Sequence, residues 1–124
     1  MNYIDILKDL IKGKGVSEIE IKRAEEQLGL TFAEDYRSYL KEYGMISFDG
    51  REITGLGVVE HMNVVKVTID ERTINKKIAN SMYVIEKLGY ENITILQDLD
   101  GQIYEMYADK IKKIANSLEE YLAN

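Results

Sequence analysis

Apolar residues along this chain keep helical spacing at both ends and alternate in between, so the pattern predicts helices first, strands in the middle and a short helix last. Ile4, Leu7 and Ile11 are spaced as one helix face, and the glycines of "KGKG", Lys12 to Gly15, end that helix. Ser17 and Glu20 then form an S-x-x-E capping box, in which hydroxyl and carboxylate each satisfy an unpaired backbone N–H. Ile21, Ala24 and Leu28 make the inner stripe of this second helix, and Gly29 closes it. Thr31 and Glu34 repeat the box and predict a third helix start. In it Tyr36, Tyr39, Leu40 and Tyr43 share one face, while Glu34, Arg37, Lys41 and Glu42 look outward. Gly44 suits the left-handed position after the helix.

The period then changes from helical to alternating. Ile46 to Thr54 alternates apolar and polar residues around Asp49-Gly50, a strong hairpin signal. The stretch from Asn63 to Ile78 is rich in β-branched residues, yet Val64, Val67, Glu71, Ile74 and Ile78 also fit a helix face, so strand and helix both stand. Met82 to Gly89 reads as a strand, and Ile93 to Tyr107 as a second hairpin turning at Asp100-Gly101. Ser117 and Glu120 form a third box before Leu118, Tyr121 and Leu122, the closing helix.

Composition narrows what such a chain does. At 124 residues, 45% hydrophobic and 31% charged, it has the size and balance of one globular domain spanning 1–124. It has no cysteine, which excludes thiol chemistry and thiolate metal sites, and its first residues hold no apolar run suited to a signal peptide or membrane span. A cytoplasmic, membrane-free setting is expected. The net charge of −6 disfavours direct nucleic-acid binding, which needs clustered cations, and suits a basic protein partner. Charge is also uneven. Glu91, Asp98, Asp100, Glu105 and Asp109 follow one another without a base, whereas Glu60 to Tyr90 carries Lys66, Arg72, Lys76, Lys77 and Lys87. A solvated face and a partner surface both explain the acidic run.

Catalytic motifs are not evident. The one histidine, His61, has no cysteine to pair with and no G-x-S-x-G elbow beside it. "DLDG", Asp98 to Gly101, fails as a calcium loop because Gln102 and Ile103 fall where a ligand and the glycine belong. "GLG" at Gly55 to Gly57 lacks the rest of a dinucleotide or P-loop signature. No cofactor and no metal are expected, and no carboxylate pair is singled out as a catalytic acid and base.

In order along the chain, "IKRAEEQLGLTFAEDYRSYLKEYG", "DGREITGL", "MYVIEKLG", "ITILQDLDGQIYEMY" and "IANSLEEYL" resemble the SUKH superfamily, in particular its SMI/KNR-type, YobK-like bacterial branch. The resemblance runs from Ile21 to Leu122. It departs from the common pattern at Ala33, where members often carry proline, and at Tyr43-Gly44, where they often carry Asn-Gly. It implies an α+β fold, with N-terminal helices and a short C-terminal helix packed on a twisted antiparallel sheet, and a helix from Val64 to about Ile78.

The resemblance also implies a role: a non-enzymatic immunity protein that binds a cognate secreted toxin, often a nuclease or deaminase, with a general scaffold or regulatory module as the alternative. The partner is then the toxin protein, and an open strand edge would be compatible with a homodimer. Residues expected at the partner surface are Glu42, Tyr43 and Asp49 near the first hairpin, with Asp98, Asp100 and Glu105 in the second.

Overall fold

The structure, a computed structural model, describes residues 1–89 and 92–124; Glu91, first in the acidic run, lies outside them. The order is α1 (Asn2–Asp5), β1 (Ile11–Lys12), α2 (Glu18–Leu28), α3 (Glu34–Glu42), β2 (Ile46–Phe48) and β3 (Arg51–Ile53). After a 3-10 turn at Glu60–Met62 come α4 (Val64–Ile74), β4 (Tyr83–Leu88), β5 (Ile93–Gln97), β6 (Ile103–Tyr107), β7 (Lys110–Ala115) and α5 (Leu118–Ala123). The fold is α+β, as expected, with its antiparallel strands divided between two sheets, β1-β2-β3 and β4-β5-β6-β7. The Thr54 N–H, donated to the Ile85 carbonyl at 2.9 Å, links the two.

Three local expectations are corrected. The first helix is only Asn2–Asp5. Ile11 leaves it to pair with Ser47 as an edge strand and is exposed, because two glycines nearby cannot sustain a helix against that pairing. The Thr31 box does not form: the residue preceding α3 is Ala33, with no side-chain cap. Phe32 and Ala33 are buried, which pulls the entry to α3 inward and leaves Thr31 two residues short of the cap position. The chain after Tyr107 is a seventh strand, not read from sequence. Its two-residue turn uses Ala108 at φ 54, a conformation that glycine or asparagine would have advertised.

Several other expectations are realised. The Ser17 box is complete and Gly29 takes φ 67. Asp49 and Gly50 form the first turn at φ 47 and 75, both left-handed as a type I′ hairpin requires. The ambiguous segment is helical, as the resemblance implies, but the helix ends at Ile74 and not near Ile78; Asn63 caps its start, and Ile78 is buried beyond its end. One face of the four-stranded sheet carries Tyr83, Ile85, Ile93, Ile95 and Ile103 against α2, α3 and α5. The opposite face carries Val84, Leu96 and Met106 against Val67 and Ile78.

The tyrosine stripe of α3 lies wholly inside. Tyr36 and Tyr39 donate to the Thr54 carbonyl at 3.1 and 2.9 Å, and the Ile46 N–H is donated to Tyr39 Oη at 3.1 Å. These hydroxyls satisfy buried backbone around the end of β3. Burial raises both above the ordinary tyrosine range.

Candidate partner-binding surface

One buried carboxamide and one carboxylate organise an end of the molecule. The Ala33 N–H is donated to Tyr83 Oη at 2.9 Å, and Tyr83 Oη donates to Gln97 Oε1 at 2.7 Å. Gln97 Nε2 donates to Asp35 Oδ1 at 2.9 Å and to the Gly101 carbonyl at 3.1 Å. Asp35 Oδ2 accepts the Leu118 N–H at 2.8 Å. Residues remote in sequence thus join the starts of α3 and α5 to the β5–β6 turn. The polar side-chain atoms of Tyr83, Gln97 and Asp35 are all engaged, which makes the junction rigid.

Around it stand Glu34, Asp98, Asp100, Glu119 and Glu120, with Asp35 at the centre. Glu34, Asp100, Glu119 and Glu120 are exposed. Acids in the first turns of α3 and α5 offset the positive ends of the helix dipoles. Among the described residues, none of these six takes part in an ion pair. The result is an acidic pole whose charge is not cancelled locally.

The expected partner residues divide. Asp98 and Asp100 join the pole. Asp98 also builds the turn: Oδ1 accepts the N–H groups of Asp100 and Gln102, each at 3.0 Å, and Oδ2 accepts the Tyr104 hydroxyl at 2.9 Å. Only Gly101 is left-handed here, at φ 90, so this is a loop folded about a carboxylate and not the two-residue turn that Asp-Gly predicts. Glu105 sits on β6 opposite Lys112, whose Nζ is 3.9 Å away. Asp49 is 3.8 Å from Lys8 Nζ, and Glu42 accepts from the Met1 amine at 2.8 Å, which holds its carboxyl below the usual range. Glu42 lies at the far end of α3 from Glu34, roughly 12 Å along the axis.

Tyr43 is corrected as a surface residue. It is 2% exposed, and its hydroxyl donates to Asp5 Oδ1 at 2.8 Å, because helical spacing turns it into the same core as Tyr36 and Tyr39. Sequence reading also missed Glu34, Asp35 and Glu119. Their positions in first helical turns were legible, but their convergence depends on Gln97, a residue with no signature.

A second concavity, a cleft of about 380 Å³, opens between β3 and β4 and is lined by Arg51, Glu52, His61, Met62, Val67 and Lys87. Glu86 forms its floor, 1% exposed, gripped by Arg51 Nε and Nη2 at 3.0 and 2.8 Å and by the Tyr121 hydroxyl at 2.5 Å. Arg51 also lies over the rings of Phe48 and Tyr121. This ion pair, with both Glu86 oxygens engaged, ties hairpin, sheet and α5 together. The Thr54 hydroxyl is engaged by the Val84 carbonyl at 2.9 Å, and His61 is exposed, 3.5 Å from Glu52. Among the described residues no group of three metal-ligating side chains forms, and no helix is long and apolar enough to cross a membrane.

Compared with known proteins, the chain matches the family model SUKH_5, described as SMI1-KNR4 cell-wall, over residues 2–124. No curated protein matches it. The late hairpin, the glycine-ended helices and the closing capped helix all fall within the match, which covers nearly the whole length: the chain belongs to the SMI1-KNR4 (SUKH) family.

Proposed function

We propose that the protein is a cytoplasmic immunity protein that binds and neutralises a cognate secreted toxin of the nuclease type, without catalysing a reaction itself. The observation that carries this reading is the acidic pole. Glu34, Asp100 and Glu119 come from three separate segments and directly adjoin Asp35, Gly101 and Leu118, which one hydrogen-bond network joins. A nuclease presents a basic surface to its substrate, so an uncancelled acidic pole on a chain of net charge −6 would speed encounter and cover that surface. The family membership is consistent with the role.

The test is co-expression with the toxin encoded beside this gene. Growth should be rescued and a complex should form by calorimetry; failure of both refutes the reading for that pair. Asp100→Lys with Glu119→Lys should slow association and flatten its salt dependence. Unchanged association would reduce the pole to a device for solubility.

A second reading follows from the family description, SMI1-KNR4 cell-wall: a scaffold or regulatory interaction module. A gene neighbourhood with no secreted toxin, together with recovery of the same cellular protein by wild type but not by the pole variant, would favour it.

A further inference from the structure

The four-stranded sheet has one covered edge and one open edge. On β4 the Val84 N–H is donated to Thr68 Oγ1 of α4 at 3.0 Å, and the Ile85 carbonyl accepts from Thr54, so helix and hairpin close that side. The other edge is β7, where every residue from Lys110 to Ile114 is exposed. The two-residue turn at Ala108-Asp109 makes Tyr107 and Lys110 a hydrogen-bonded pair, and the antiparallel alternation then sends the N–H and C=O of Ile111 and Lys113 outward. Side chains alternate as well. Lys110 and Lys112 stand on one face, and Ile111 and Lys113 on the other, next to Met106 and Tyr104.

We propose that β7 is a docking strand for an extended acidic segment of a protein partner, which adds to the sheet beside it. Main-chain bonds to Ile111 and Lys113 would supply affinity, and the lysines would select the sign of charge. Lys112 has only Glu105 near it, at 3.9 Å, and Lys110 and Lys113 have no carboxylate partner among the described residues. Two such edges meeting would crowd six lysines, which discourages self-pairing by the same means that admits an acidic strand. The complementary segment carries acids facing Lys110 and Lys112 and apolar residues between them, one of which lies against the exposed Ile111. This surface is opposite in charge to the acidic pole, and the proposal does not rest on the toxin reading.

The probes are two ten-residue peptides, Glu alternating with Val and Lys alternating with Val, added to the full chain and followed by amide hydrogen exchange in NMR. The Glu peptide should slow exchange at Ile111 and Lys113 by about tenfold or more and leave the β4 edge unchanged. The Lys peptide should do nothing there. Lys110→Glu with Lys112→Glu, both exposed positions, should weaken the Glu peptide on the order of tenfold and admit the Lys peptide. No protection of Ile111 and Lys113, equal binding of the two peptides, or protection that grows with protein concentration alone would overturn the proposal; the last result would assign the edge to a second copy of this chain.

Discussion

The two faces of the four-stranded sheet are built from different materials. On the α3 face, Phe32, Tyr36 and Tyr83 meet with ring centroids 4.8–5.2 Å apart, and the two tyrosine hydroxyls bind buried backbone at Thr54 and Ala33. The α4 face has a small aliphatic cluster, Val67, Ile78, Val84, Leu96 and Met106, with polar ties at its margin from Thr68 to the Val84 N–H and from Glu71 to Lys87. Packing with built-in hydrogen bonds fixes geometry as well as burial, whereas aliphatic packing tolerates exchange. It follows that the rigid face should carry the acidic pole, and it does.

The largest expected effect is on that rigid face. Tyr36→Ala should cost about 3–5 kcal/mol in denaturant unfolding, since it empties an aromatic site and removes a buried hydrogen bond to Thr54. Val67→Ala, on the thin face, should cost roughly 2 kcal/mol, from two lost methyls and a small cavity. Equal losses would erase the contrast. Tyr83→Phe isolates the hydroxyl from the ring: leaving the buried Ala33 N–H without an acceptor should cost about 1.5 kcal/mol and loosen the pole, read as faster amide exchange at Leu118.

The smallest effect lies outside both faces. Arg37 and Lys41 hold exposed Glu18 down to about 2, Lys41 contributing first. A depressed carboxyl stabilises above its unfolded value of 4.5 and loses that contribution as pH falls towards 2. Melting curves of Glu18→Gln and wild type should therefore differ slightly near neutral pH and converge near pH 2.

What was legible in the sequence follows the same division. The tyrosine stripe of α3 announced a buried face because helical spacing is a strong signal, and the Asp49-Gly50 hairpin was legible because both turn residues must be left-handed. Asp100-Gly101 carries the same letters but bends differently, since Asp98 captures two backbone N–H groups first. β7 escaped notice for two reasons. Its turn uses Ala108, and its alternation is broken by an irregular register between Ile103 and Tyr104, whose partners are Ala115 and Lys113, so that Ile114 is an extra residue. The pole was half legible: its acids could be read, but the meeting of Asp35 with Leu118 depends on tertiary packing alone.

Ala33 departs from the proline common in its family, and the departure has a use. Proline would supply no N–H to Tyr83, whereas here that N–H is the first link in a chain ending at the C-terminal helix. The entry to α3 and the anchoring of α5 are thereby thermodynamically linked. A protein that binds more tightly when the junction is intact must, by reciprocity, suppress detachment of residues 118–123, so protease resistance of the chain's tail becomes a remote gauge of occupancy at the other surface.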